Sequence, residues 1–401
     1  MSEYQYFEFQ AIDRPLTTDE MAELRRWSSR ADITPTRFCN EYRWGDFKGN
    51  PQRWMERYFD AFLHVANWGT HWLMLRLPVE LMSLRDVDDY LLGDGLQAWQ
   101  TDEHLLLSFR SDTEEPDWEE GGGWLSSLLG VRPSLLRCDR RSLYLGWLAG
   151  AWVGYWAGDA DETAAEPPVP PGLGELDATH RAFAQFLRIP DDLVAVAAES
   201  SAPLQASGVG MADIARWVAA RSSAEKDALL TELILGGQPH RLAVLQREIE
   251  RELNPVDPAG GSHARRTLGE LIARANGMTR ERQAREAAAR AAEQARAQAE
   301  AAAARRRYLA GLRGREEALW RKVDDLIGNR QASTYKEAVD RLRDLCDLAV
   351  ADGALDDFSA RIRQLRAAHS RKPALIRRLD EAGLAGIDTA SEDLGQTRSG
   401  A

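Results

Sequence analysis

Acidic side chains are the residues of this chain whose types and spacing come nearest to a catalytic or metal-binding site. One group comprises Asp86, Asp88 and Asp89, and a second places five carboxylates within residues 114–120. Paired carboxylates can bind a divalent cation or serve as general acid and base when they converge in one cleft. A hydrolase or metal-dependent enzyme that uses these N-terminal carboxylates is therefore one hypothesis. Acidic loops that simply face water are its structural alternative.

The other reactive residue types form no motif of known chemistry. The seven histidines include no HxxxH pair, and the three cysteines include no CxxC pair. The glycines at 121–123 lack the flanking residues of a phosphate-binding loop. We therefore predict no catalytic, cofactor-binding or metal-binding residue and no cofactor, and we favour a protein that is not an enzyme. The widely spaced cysteines favour free thiols in a reducing cytoplasm.

A basic stretch in the second half of the chain suggests a different chemistry, the binding of phosphate groups. Residues 262–322 carry 15 Lys or Arg and 7 Asp or Glu, a net charge of +8. The predicted nucleic-acid-binding residues are Arg280, Arg282, Arg285, Arg290, Arg296, Arg305, Arg306 and Arg307. Glu281 with Arg285, and Glu286 with Arg290, also have the i,i+4 spacing of ion pairs. The same arginines can therefore support a helix instead of a ligand.

These arginines lie within a predicted long helix whose apolar positions follow a heptad pattern. In its middle the would-be core positions are alanines, which favour the helix but bury little area. Further on, larger apolar side chains take over, and they are the predicted partner-binding residues: Leu309, Leu312, Leu319, Trp320, Val323 and Leu326. This pattern predicts a spacer or a self-associating, coiled-coil-like helix.

Charge and composition divide the chain into segments of different character. Residues 1–175 carry 16 Lys or Arg and 30 Asp or Glu, a net −14, whereas residues 262–401 carry 27 and 21, a net +6. We predict an aromatic-rich α+β domain over 1–158, a proline-rich linker over 159–175, a helical bundle over 176–255, a long Ala/Arg-rich helix over 262–328, a helical C-terminal module over 329–384 and a disordered tail over 385–401.

Within the N-terminal domain, strand patterns occur at 4–12, 71–77, 96–101 and 104–110, and the last two form a candidate hairpin. Pro51 suits the first turn of a helix, and an aromatic stripe predicts that this helix runs through Trp54 to Ala66. Residues 142–158 are 17 uncharged residues in a row. A membrane span needs about 20 apolar residues, so we predict a buried helix whose glycines admit another backbone.

Residues 335–384, which include YKEAVDRLRDLCDLAV and FSARIRQLRAAHSRKPALIRRLDEAGL, resemble a helical module at the C-terminus of bacterial proteins with SWIM-type zinc fingers. The finger itself is absent, because no CxC with a downstream CxH occurs, so the resemblance implies no metal site. It implies a bacterial protein that works alongside nucleic-acid or defence-related systems. The N-terminal domain, with WGDFKG at 44–49 and ANWGT at 66–70, is similar to an uncharacterised bacterial family.

Together these patterns favour a bacterial cytoplasmic scaffold or adaptor without enzymatic activity. It would assemble with another protein, or with itself, through the long helix and the aromatic domain, and no membrane partner is expected. Nucleic-acid binding as an accessory protein through the basic helix is the alternative, and the carboxylate-based enzyme is the second alternative.

Overall fold

The chain folds as two compact units, which divide between Gln283 and Ala284. The computed structural model describes residues 4–114, 118–204, 211–235, 241–253, 265–329 and 332–384. In these parts the first unit combines a β-sheet with helices, and the second contains helices alone. The predicted fold class, an α+β domain followed by helices that include one long helix, is confirmed. The predicted disordered tail at 385–401 lies outside the described residues.

An antiparallel sheet forms the centre of the first unit. Its strands are β1 (Gln5–Gln10), β2 (Asp32–Thr34), β3 (Arg37–Tyr42), β4 (Ala61–Ala66), β5 (His71–Pro78), β6 (Leu96–Gln100) and β7 (His104–Ser111). Their order is β2-β3-β1-β4-β5-β7-β6, and every neighbouring pair is antiparallel. The predicted hairpin is present as β6 and β7, with Gln100 opposite Leu105.

Helices pack against both faces of this sheet. They are α1 (Thr18–Trp27), α2 (Pro51–Arg57), α3 (Leu84–Val87), α4 (Trp124–Leu128), α5 (Val131–Leu136), α6 (Arg141–Ala157), α7 (Ala178–Phe186) and α8 (Asp191–Ala198). Leu24 of α1 and Met55 of α2 share one core with Phe9, Phe38 and Phe62. The other face is covered by α3–α8. Because successive strand residues point to opposite faces, β4 contributes Phe62 to one core and Leu63 to the other.

The helix that begins at Pro51 is shorter than its aromatic stripe predicts. The side chain of Asn50 caps α2, and the helix ends at Arg57. Residues 61–66 form β4 between β1 and β5, so the prediction of helix over these residues is wrong. Every residue of β4 is buried. A strand covered on both faces is apolar throughout, and without alternation it cannot be distinguished from a buried helix by its pattern.

The uncharged run at 142–158 forms a helix that is buried over its first half, as predicted, whereas Val153 and Trp156 near its end are exposed. Residues 141–149 of α6 are all buried. A Cβ built on Gly150 would lie 2.5 Å from the carbonyl oxygen of Leu92, and one on Gly95 would lie 2.3 Å from the Cα of Gly150. The two backbones therefore approach too closely for side chains. None of the helices in the described parts of the chain combines the length and apolar character that a membrane crossing requires.

The proline-rich segment over 159–175 is fastened to the first unit. Ala165 forms an isolated antiparallel bridge with Thr267. Glu166 is buried, accepts a hydrogen bond from the hydroxyl of Tyr144, and pairs with Arg266 at 2.8 Å. This segment thereby packs against the start of the long helix.

Three further helices and the long helix complete the first unit and lead into the second. They are α9 (Met211–Ala220), α10 (Ser223–Leu235), α11 (Arg241–Leu253) and α12 (Leu268–Ala310). Thr267 and Glu270 form reciprocal capping hydrogen bonds at the start of α12. Leu271 and Ile272 of α12 belong to the core of the first unit.

The predicted helix over 262–328 is divided into two. α12 ends at Ala310, and α13 (Glu316–Gly328) follows after a turn in which Gly314 has a φ of +77°. A residue in the left-handed region cannot continue a helix, and glycine adopts it without steric cost. In the second unit α13 packs with α14 (Ala332–Asp352), α15 (Leu355–Ala368) and α16 (Pro373–Glu381).

Candidate interaction surfaces

The helices α9–α11 bury few of their side chains. Trp217 is buried, its indole N–H donates to Glu252 at 2.7 Å, and the guanidinium of Arg221 lies 4.1 Å from the Trp217 ring centroid. Ile249 is the other large apolar side chain that the described parts of α9–α11 bury. These contacts join α9 to α11 but leave most of the apolar residues of the three helices uncovered.

The uncovered residues form apolar rows. Seven of the eighteen exposed large apolar side chains among the described residues lie here, namely Met211, Ile214, Val218, Leu230, Leu233, Ile234 and Leu242. Met211 is 88% exposed and Ile234 is 82% exposed. The spacing i, i+3, i+7 on α9 and i, i+3, i+4 on α10 places each group on one side of its helix. We call these seven residues the apolar surface.

A second group of exposed apolar side chains consists of tryptophans. Five tryptophans of the N-terminal domain are exposed: Trp27, Trp44, Trp68, Trp118 and Trp156. Trp118, for example, packs against Tyr4 with their ring centroids 5.3 Å apart. Single exposed apolar side chains are ordinary on protein surfaces and define no site.

The predicted partner-binding stripe lies largely inside the second unit. Trp320, Val323 and Leu326 are buried in its core, and Leu319 is half-buried against it. Leu309 at the end of α12 is also buried, and Leu312 in the following turn is half-buried. The stripe therefore packs on its own chain. In this conformation it leaves little area for a second molecule.

The predicted nucleic-acid-binding arginines differ in their surroundings. Arg282 pairs with Asp192 at 2.9 Å. Arg305 pairs with Asp344 at 2.6 Å and with Asp347 at 2.7 Å. Arg282 is nevertheless exposed, as are Arg280, Arg285, Arg290, Arg296, Arg306 and Arg307.

The exposed arginines do not share one side of α12. At 3.6 residues per turn, Arg285 and Arg296 lie on neighbouring positions around the helix and Arg307 lies with them, whereas Arg280, Arg290 and Arg306 point elsewhere. Glu286, Glu293 and Glu300 follow at intervals of seven beside the first pair. All residues from 280 to 302 are exposed. The helix thus presents mixed charge rather than a one-sided cationic face.

Two carboxylates of the enzyme hypothesis, Asp86 and Glu119, have separate structural partners. Asp86 accepts hydrogen bonds from the backbone N–H and hydroxyl of Ser83, both at 2.8 Å, and so caps α3. Glu119 accepts a hydrogen bond from the indole of Trp124 at 2.7 Å. Glu115 and Asp117 lie outside the described residues. In the described ranges no group of three His, Cys, Asp or Glu side chains is arranged to hold a metal ion.

Two buried histidines of the sheet are held in the protein interior. His64 stacks on Phe7 with ring centroids 4.2 Å apart, and burial lowers its pKa to about 4. His71 Nδ1 lies 2.7 Å from the carbonyl oxygen of Phe186, and its Nε2 lies 3.0 Å from Glu119. Burial lowers the pKa of His71 too. Both rings pack within the fold and expose no reactive nitrogen.

A cleft of about 950 Å³ lies along α7 and α8. Its lining is apolar at Ile189 and Val194, with Arg181, Gln185 and Asp191 among the polar residues. The lining contains no histidine, cysteine, serine or threonine. Glu175 and Asp191 are therefore the side chains of this lining that could serve as a general acid or base.

Comparison with protein families, curated proteins and solved structures found no match to this chain. Sequence reasoning overlooked the apolar surface of α9–α11. Its signal was present in the periodic apolar residues of 211–235. That signal predicted helices correctly, but periodicity does not reveal whether an apolar side finds a partner within the chain.

Proposed function

We propose that this protein is a non-enzymatic adaptor of the bacterial cytoplasm, and that the apolar surface of α9–α11 receives a partner protein. The observation that carries the proposal is the concentration of exposed apolar side chains on these helices. Rows of exposed apolar residues on a helix are typical of interaction sites. The free cysteines and the resemblance of the C-terminal module support the cytoplasmic and bacterial parts of the proposal.

The chemistry of the surface favours an amphipathic helix as the partner element. Its apolar residues form rows at helical spacing on α9 and on α10, and each row suits an amphipathic helix laid along it. Residues 211–235 carry 3 Lys or Arg and 4 Asp or Glu, a net charge of −1. With so little net charge, binding depends on apolar contact and should vary little with salt.

The test combines Met211→Gln, Leu230→Gln and Ile234→Gln in one variant of the full chain. Glutamine favours the helix about as well as the residues it replaces, so the helices persist while the apolar contact is lost. A partner captured by the unaltered chain in the native host is purified and titrated against both proteins. We expect the variant to bind at least about tenfold more weakly.

The matched control is Lys226→Gln with Asp227→Gln, which alters α10 without changing its net charge. It should bind like the unaltered chain, and binding should change little between low and moderate salt. Equal affinity of the apolar variant and the unaltered chain would contradict the proposal. If the only protein captured is a second copy of this chain, the protein is a self-assembling scaffold and not an adaptor.

A further inference from the structure

A second surface of different character occurs in the C-terminal unit. Residues 358–379 contain seven Lys or Arg and no Asp or Glu. They cover most of α15, the turn that follows it, and most of α16. We call the group the cationic turn: Arg361, Arg363, Arg366, Arg371, Lys372, Arg377 and Arg378.

Contacts between the two helices bring these side chains together. Arg366 of α15 pairs with Asp380 of α16 at 2.7 Å. Arg363 lies one helical turn before Arg366, and Arg377 lies one turn before Asp380, so both flank this ion pair. Arg371 lies in the connecting turn. Arg363, Arg366, Arg371 and Arg377 thus lie around one junction between α15 and α16.

Several of these charges have no partner within the unit. Arg361 is held by Glu317 and Arg377 by Glu381 at 3.6 Å. The side chains of Arg363, Arg371 and Arg378 form no ion pair or hydrogen bond with the described residues. Arg363 and Arg371 are exposed, and Arg378 is half-buried. These three guanidinium groups are available to a ligand.

The surroundings of the three arginines indicate the class of ligand. Over residues 355–384 no large apolar side chain is exposed. Protein interfaces have an apolar centre, and membrane-bound helices insert apolar side chains. A phosphate backbone needs neither, since cationic side chains alone give affinity by releasing counterions. Arginine also suits phosphate through its paired N–H donors.

We infer that the C-terminal unit binds the phosphate backbone of nucleic acid through the cationic turn, without reading sequence. The site is distinct from the eight arginines of the long helix and from the apolar surface of α9–α11. An adaptor with both surfaces would join a protein partner to nucleic acid. Nucleic-acid binding is measured on the purified chain alone, so this inference and the adaptor proposal can fail separately.

The experiment is a titration of a short mixed-sequence DNA duplex with the full chain over a range of salt concentrations. Contacts with about three phosphates predict a log–log salt slope of about −2.7. Affinity should therefore fall about 40-fold between about 50 and about 200 mM salt. The variant Arg363→Gln, Arg371→Gln, Arg378→Gln should bind at least about tenfold more weakly at the lower salt, with a slope near zero.

Two control variants decide where the binding site is. Arg290→Gln, Arg296→Gln, Arg306→Gln removes three exposed charges from the long helix and should leave affinity and slope unchanged. Replacing Arg363, Arg371 and Arg378 by lysine keeps the charge and should restore most of the slope. Thermal unfolding of each variant, followed by circular dichroism, reports whether the helices remain folded.

Three results would overturn the inference. The unaltered chain could bind no duplex, the long-helix variant could lose as much affinity as the cationic-turn variant, or an acidic polypeptide could compete as strongly as DNA at equal charge. The second result would place the site on α12. The third would make the cationic turn a general acceptor of acidic protein.

Discussion

At the scale of single residues, buried charges in this protein serve the fold. Asp60 is fully buried and accepts hydrogen bonds from the guanidinium of Arg76 at 2.8 Å and from the backbone N–H groups of Ile12 and Asp13. Burial would raise the pKa of Asp60, but the attraction of Arg76 and Arg132 holds this pKa below its ordinary value. The carboxylate thereby ties the end of β1 to β5.

His64 makes the stability of the first unit depend on pH. Burial and the nearby charge of Arg110 lower its pKa from 6.5 to about 4. Between these pH values the unfolded chain binds a proton that the folded chain does not. The contribution of neutral His64 to the free energy of unfolding is therefore fully present above about pH 6.5, and it is lost as the pH falls toward 4. His71, whose pKa is also lowered, acts in the same direction.

We predict that His64→Gln reduces this dependence. The unaltered unit should lose about 3 kcal/mol of unfolding free energy through His64 between about pH 6.5 and 4. The variant lacks this titration, so its unfolding free energy should fall by about 3 kcal/mol less over the same pH range. Urea unfolding at each pH, followed by tryptophan fluorescence, measures this free energy. His369→Gln lies in the second unit and should leave the first unit's slope unchanged. Parallel slopes for His64→Gln and the unaltered chain would refute the prediction.

At the scale of elements, α6 depends on glycine where it crosses the chain before β6. Gly150 lies against the carbonyl oxygen of Leu92 and against Gly95, both backbone groups that cannot move aside without shifting the sheet. Gly154 lies one turn further along the same helix, and a Cβ there would meet Ala160 at an ordinary 3.6 Å. The two positions provide a matched pair in one helix.

Gly150→Ala should destabilise the first unit by about 1–3 kcal/mol, because the added methyl forces the two backbones apart. Gly154→Ala should be neutral or stabilising by up to about 1 kcal/mol, since alanine favours the helix over glycine. Urea unfolding of both variants at neutral pH makes the comparison. Similar effects of the two substitutions would show that the close approach at Gly150 does not limit stability.

At the scale of the whole molecule, two units of different composition share one helix. The first unit has a core on each face of its sheet, one of them rich in aromatic residues, and the second has a helical core around Trp320. Between them, residues 280–302 of α12 expose every side chain. Alanine-rich sequence with i,i+4 ion pairs suits such a helix, which must form without a core of its own.

We predict that the two units unfold independently. Trp320 is the one tryptophan of residues 284–401. Its fluorescence therefore reports the second unit, either in a fragment or in a full chain whose other twelve tryptophans are replaced by phenylalanine. A fragment over 284–384 should unfold at the same urea concentration as Trp320 in the full chain. A midpoint that shifts in the full chain when Gly150→Ala is introduced would show that the units are coupled.

Much of the helical structure could be predicted from the sequence, because its causes are local. The capping pair of Thr17 and Glu20 marks the start of α1, and that of Thr267 and Glu270 marks the start of α12. Alanine content alone predicts the middle of α12, since helix propensity acts through neighbouring residues. The signal for the hairpin of β6 and β7 is equally local, because a short polar turn separates two apolar runs.

The rest depends on contacts between residues that are far apart in the chain. Burial on both sides makes 61–66 a strand, because β1 and β5 flank it in the sheet. The stripe around Trp320 is internal because α14 and α15 return to cover it. Conversely, the equally periodic residues of α9 and α10 remain exposed because no described element covers them. Periodicity identifies an apolar side of a helix, but only packing between distant segments determines whether that side becomes core or surface.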